Sequence, residues 1–426
     1  MLSALKNREY RYLWGGQAIS HLGDQLHLVA LPWLVLAVTH DPLQLGLVLA
    51  AAGIPRAVLM LAGGAIADRV SPRAVMLVSD LLRFLIAGAL AAEILTGQVE
   101  LWMIYGLAIA FGAVSGFFLP AAEATLPRIV GRDTLEAGNS LMMIADQVAQ
   151  FVGPALAGTL VAMLSGASGS RSNQLFGIGI AFAIDAATFL LSAISLWAMR
   201  PIPGFGSQNH PWRDVVEGVR YVAGNTTIRV MVIIIALANF LLTGPLLVGI
   251  PVLASQRLPE GAAAFGMIIS AYALGNLGGM GIAGGTRRPS PRILGWVGTG
   301  IFPLFAAIYV ALGMVTATWM AVALMVVAGV ANGYLAIIII SSLQRMAPKN
   351  LVGRVMSLLM LSMYGLGPIS QAISGAILQI SLPGLFAAAG VGLVIPAVIA
   401  YRYRTIWDFV AQEETPSDAE TLVPTS

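Results

Sequence analysis

The 426-residue chain contains no cysteine, which excludes disulfides, thiolate metal sites and cysteine nucleophiles. Histidine is nearly as scarce, at four residues, so a metal site is not expected. Charged residues make up only 10% of the chain, against roughly 25% in an ordinary soluble domain. No phosphate-cradling Gly-x4-Gly-Lys-Ser/Thr run occurs, and neither a metalloprotease nor a nucleophile-elbow motif is present. Neither an enzyme nor a cofactor is therefore expected, and a net charge of only +3 gives no basis for a nucleic-acid partner. Lys6, Arg8 and Arg11 precede no short apolar core ending in a small-residue cleavage site, so the first apolar stretch reads as an uncleaved span. What is abundant is apolar: 58% of residues are hydrophobic, the composition of a chain that lives in a lipid bilayer.

Cutting at Gly, Pro and charge clusters leaves twelve stretches long enough to span, at about 20 residues each: 12–38, 43–66, 74–95, 101–125, 137–164, 175–199, 228–254, 262–285, 292–313, 316–343, 351–380 and 384–404. Of the 23 basic residues, 19 fall on the side of the N-terminus. Only Arg171 and Arg257 fall on the other side, while Arg56 and Arg83 lie inside spans. Basic loops stay cytoplasmic, so both termini are expected there. The expected fold is an all-α polytopic membrane protein, with twelve transmembrane helices in two pseudo-symmetric six-helix halves. Residues 1–199 form the first half, 200–227 a Pro- and Gly-rich cytoplasmic linker, 228–404 the second half and 405–426 a polar cytoplasmic tail without fixed structure. The halves echo each other, with Gly153-Pro154 in the fifth span and Gly367-Pro368 in the eleventh. Paired halves with a midplane site between them are how alternating-access transporters are built.

Ionisable residues at bilayer depth are costly and mark pathways. Gln17, His21 and Asp24 share one side of the first helix, with His27 one turn further on. Asp24 and Asp185 lie near mid-span, Asp146 roughly 13 Å in and Asp80 about 9 Å in from the basic side. Asp24, Asp146 and Asp185 are the candidate proton-coupling carboxylates. Asp80 and Arg83, one turn apart, read as a structural ion pair, and Arg56 as either a rival partner for Asp24 or a wall of the substrate cavity. His21, Asp24 and His27 string along nearly 9 Å of one helix, too far to close around one metal ion. The second half carries only amides at depth, including Asn239, Asn276, Asn332 and Gln371. Gln17, His21, His27, Arg56, Asn239 and Asn332 are therefore the candidate cavity residues. A largely uncharged second wall suits a lipophilic or amphipathic small molecule.

The loop Gly64-x3-Asp68-Arg69-x3-Arg73 resembles the signature of the major facilitator superfamily. Leu13-Trp14 with Gln17, Ser20, Gly23-Asp24 and Leu31-Pro32, then Pro120-Ala121 and Gln344 to Gly353-Arg354-Val355, is similar to its bacterial drug-efflux branch, which includes macrolide exporters. The resemblance implies a cytoplasmic gate of Gly64, Asp68, Arg69, Arg73 and Arg354, with Asp68 meeting the start of the eleventh span. It also implies that Gly153, Pro154 and Gly158 bend and pack the fifth span against the eighth, whose glycines 275, 278, 279, 281, 284 and 285 would complete a sliding seam. Ser71 and Pro72 depart from the family loop, and no basic residue lies between Trp102 and Glu123, where many proton-coupled exporters keep an arginine. The implied function is export of lipophilic or amphipathic compounds across the bacterial inner membrane in exchange for protons, by a monomer. Transport of a lipid, a siderophore or another solute, or a non-transporting receptor, are the alternatives the same fold allows.

Overall fold

The computed structural model describes residues 3–165, 171–202, 220–286, 291–346, 360, 362 and 365–403, without the side chains of 61–69, 132, 291–298 and 342–346. Most of the expected linker, the whole expected tail and the start of the eleventh span lie outside the described residues. Among the described residues there is no strand. The helices are α1 Arg8–Thr39, α2 Pro42–Arg69, α3 Pro72–Leu95, α4 Leu101–Ile129, α5 Arg132–Ser165 and α6 Arg171–Ala198. They are followed by α7 Thr226–Arg257, α8 Ala262–Gly285, α9 Pro291–Leu312, α10 Thr318–Met346, α11 Gly367–Leu378 and α12 Leu382–Arg402. Ten described helices are long and apolar enough to cross a membrane.

Their starts are set by short polar caps, which satisfy backbone N–H groups that have no partner within the helix. Asn7 Oδ1 accepts from the N–H of Glu9 at 2.9 Å, and Asp41 Oδ1 from that of Leu43 at 2.8 Å. Asn225 and Ser381 open α7 and α12 in the same way. α1 ends where His40 takes a left-handed φ of 54°. Several helices overrun the expected boundaries because charged ends such as Arg8, Arg128 and Arg132 are helical rather than loop. Interior prolines at 32, 55, 120, 127, 154 and 303 sit within continuous helices instead of ending them. α7 passes through a π-helical turn at Pro245–Gly249.

In the first half, α1 packs on α5 and α6, and α3 on α4 and α6, with α2 against α4. The second half repeats the pattern: α7 packs on α11, α9 on α10 and α12, and α8 against α10. The halves meet along two lines, α2 with α11 and α5 with α8. Among the described residues both lines make close contacts near the face opposite the basic one. There Gln379 Nε2 donates to Asp41 Oδ1 at 3.2 Å, and a Cβ on Gly46 would stand 3.0 Å from the Cα of Gly375. On the other line the Ala155 N–H donates to Ser270 Oγ at 2.9 Å, and a Cβ on Gly158 would stand 3.1 Å from the Cα of Gly266.

Toward the basic face α5 and α8 part. Ile144 and Val148 continue the side of α5 that carries Ala155 and Gly158, yet they are 47% and 50% exposed. Leu274 and Leu277 continue the side of α8 that carries Gly266 and Ser270, and they are likewise exposed. The expected glycine seam is thereby corrected. Gly275 and Gly279 face α10 at Val326 and Val330, and Gly278, Gly281, Gly284 and Gly285 have nothing within 4 Å of a Cβ position. The glycine that meets α5 is Gly266.

Candidate substrate and proton site

Two glycines let α1 lie against α6. A Cβ on Gly16 would stand 3.0 Å from Ser195 Cβ, and one on Gly23 would stand 2.9 Å from Asp185 Oδ1. This approach splits the α1 stripe into two layers. The inner layer is buried: Asp80, Asp185 and Arg83 are at most 2% exposed. His27 Nδ1 lies 3.1 Å from Asp185 Oδ2, its ring stacked on Phe111 at 4.0 Å between centroids and edge-on to Phe182. Arg83 bonds Asp80 through Nη2 and reaches Asp24 Oδ1 through Nη1 at 3.5 Å. Its guanidinium lies over Phe118 at 3.8 Å and Phe189 at 4.5 Å, which shields a desolvated cation with aromatic faces.

The outer layer is half-buried. His21 Nδ1 stands 4.0 Å from Asp24 Oδ2 on its own helix and 3.9 Å from Asp146 Oδ1 on α5. Asp146 accepts a 2.7 Å hydrogen bond from Gln150 Nε2. The side chains of His21, Asp24 and Asp146 keep 29, 35 and 40% exposure. The layers differ in charge. Inside, Arg83 balances Asp80, and a protonated His27 would balance Asp185. Outside, two carboxylates share one imidazole and a distant edge of the same Arg83. A site with surplus negative charge and access to water can exchange protons or hold a cation.

The structure thus brings Asp24, Asp146 and His21 together and sets Asp185 and His27 apart in the interior. Gln17 is 3% exposed and faces the packed interior rather than open space. The cation on Asp24 is Arg83, not Arg56, which is exposed on α2 with no ion pair among the described residues. Arg73 donates to the carbonyls of Leu196 and Trp197 at 2.8 Å each, so it caps the end of α6. The side chains of Asp68 and Arg69, the surroundings of Gly64 on α2, and the whole of Arg354 lie outside what the structure describes. Asn239 and Asn332 line one recess in the second half, between α7, α9 and α10. The bridge from α1 to α3 through Arg83 and its aromatic sandwich had no signal in the spacing of the sequence.

A sequence profile described as transmembrane secretion effector matches residues 1–423. The chain belongs to this family. It is an efflux-type transporter of the major facilitator superfamily and a multi-pass membrane protein. The chain is 26% identical over 392 residues to the multidrug efflux pump Tap of Mycolicibacterium fortuitum, covering 89% of this chain and 91% of Tap. It is 27% identical over 222 residues to the enterobactin exporter EntS of Shigella boydii, about half of each chain at 52% and 51%. The fold matches a bacterial homologue of the lysosomal transporter Spinster in an inward-facing, unoccupied conformation, with a TM-score of 0.70 and 15% identity over 96% of this chain and 98% of that one.

Proposed function

We propose that this secretion effector exports lipophilic or amphipathic compounds across the bacterial inner membrane in exchange for protons, by alternating access. The observation that carries the reading is the His21, Asp24 and Asp146 triangle, half-exposed and with two carboxylates sharing one imidazole, beside a buried interior in which Asp80 and Asp185 face Arg83 and His27. The asymmetry of basic residues supports a cytoplasmic basic face. With that orientation, helices that touch at the far face and part toward the basic one correspond to an inward-open state. Protons enter the triangle from outside and hold it neutral through the switch to this state. A substrate carrying positive charge then displaces the proton, which leaves to the cytoplasm. Asp185 shares the load only when His27 turns away, since the two are bonded here. The gate of Gly64, Asp68, Arg69 and Arg354 acts in the opposite state, when the basic ends of α2 and α11 meet, with Arg73 remaining on α6.

The carboxylate surplus disfavours a polyanionic cargo, because like charges placed side by side repel. The reading is tested with ethidium, an amphipathic cation, in proteoliposomes carrying an imposed proton gradient. Export against the ethidium gradient is expected for the wild type, with a drop of roughly a hundredfold for Asp24→Asn. Flux that ignores the proton gradient and survives Asp24→Asn overturns antiport, and wild-type protein that binds ethidium but moves none favours a receptor.

A further inference from the structure

The two halves fill equivalent interiors differently. Between α1, α3 and α4 of the first half lie Arg83, Asp80 and Asp24 with Phe118. The corresponding space in the second half, between α7, α9 and α10, is open. Two adjoining pockets there hold ≈ 420 and ≈ 700 Å³ of space not filled by atoms, part of it open to the outside, and they share Asn239, Leu242, Phe305 and Asn332.

The recess is graded. Its end nearer the basic face is aliphatic and aromatic, with Ile235, Phe302 and Ile339. Its deeper end holds Tyr272 and Tyr309 together with the two asparagines. No charged residue lines either part. Tyr309 Oη donates to the Leu242 carbonyl at 3.0 Å, and Asn239 Nδ2 to that of Ile235 at 3.0 Å. That leaves the Asn239 carbonyl oxygen as an acceptor. Asn332 and the Tyr272 hydroxyl have no protein hydrogen bond among the described residues. Polar groups at the bottom of an apolar slot normally find partners, because leaving them dry and unpaired is costly.

From this grading we infer that the recess is a subsite for an uncharged amphipathic molecule, one with an apolar ring or chain and a single hydrogen-bonding end that enters first. Resting on the export reading above, it divides the work between the halves: the carboxylate half takes protons and positive charge, and the neutral half takes the apolar body of the cargo. A permanently charged group is excluded from the recess, since nothing there would compensate it.

The chain's lack of cysteine gives a direct test. Ala336→Cys, on the α10 wall, places the only thiol of the protein in the recess with a minimal change in size. The probe is N-phenyl-1-naphthylamine, an uncharged amphipath whose fluorescence rises on leaving water. In nanodiscs, saturating probe is expected to slow N-ethylmaleimide labelling of the introduced thiol roughly tenfold, and prior labelling to weaken probe binding by a similar factor. Ala238→Phe, which fills the recess from α7, is expected to weaken binding alike. Labelling that the probe does not slow, or unchanged affinity after labelling, overturns the subsite. So does a phospholipid retained through purification that the probe does not displace. Binding is read without transport, so a protein that takes the probe in the recess but exports nothing would refute export and leave the subsite standing.

Discussion

Arg83→Leu is expected to destabilise the folded protein by about 3–5 kcal/mol, the usual cost of removing one partner from a buried ion pair. Arg83 is 2% exposed, bonds the fully buried Asp80 and reaches Asp24. Its loss leaves Asp80 without a counterion in the interior of the first half, where one Asp80 oxygen already lacks a partner. Asp80→Asn is expected to cost less, because Arg83 keeps Asp24 and the faces of Phe118 and Phe189. The double change Asp80→Asn with Arg83→Leu should recover most of the loss, since the two single effects remove the same interaction. Thermal unfolding of purified protein in detergent reads all three. Wild-type stability of Arg83→Leu would mean that the pair is not buried as described.

The largest expected effect on transport comes from Gly158→Leu. Gly158 and Gly266 are where α5 and α8 come closest, and a Cβ at 158 already presses on the α8 backbone at Ala262 and Gly266. A leucine there wedges the far face open. It favours the helix itself by roughly 1 kcal/mol over glycine, so expression and unfolding temperature should hold while flux falls to background. The wedge is measured with a short bifunctional thiol cross-linker on Asp41→Cys with Gln379→Cys, whose native side chains are hydrogen-bonded tip to tip across the halves at 3.2 Å. Cross-linking should be efficient in the wild-type background and fall several-fold with Gly158→Leu. Unchanged cross-linking and unchanged flux would show that the α5 and α8 contact does not govern closure.

Hydropathy and the distribution of basic residues made the helical passes legible, because the bilayer imposes both on the sequence itself. The Asp80 and Arg83 pair was legible for a similar reason, as two residues one turn apart on one helix meet whatever surrounds them. The link from Arg83 to Asp24 was not, since it joins α1 to α3 and depends on how those helices are rotated. Arg56 was an equally good candidate by charge and depth alone. Composition likewise flagged α8 as glycine-rich without saying which face each glycine takes. Gly275 and Gly279 serve α10, and Gly266 makes the contact between halves. Gln17 shares the stripe of His21 and Asp24 by angle, but Gly16 draws that turn against α6 and buries it.

If substrate and proton compete for the Asp24 triangle, linkage makes the competition measurable without any membrane. Ethidium is added to purified protein in weakly buffered detergent containing a pH indicator. Wild-type protein is expected to release on the order of one proton per molecule as ethidium binds, and Asp24→Asn to bind it with little or no release. Ethidium binding with no proton release from the wild type, or equal release from Asp24→Asn, would exclude competition between substrate and proton at Asp24.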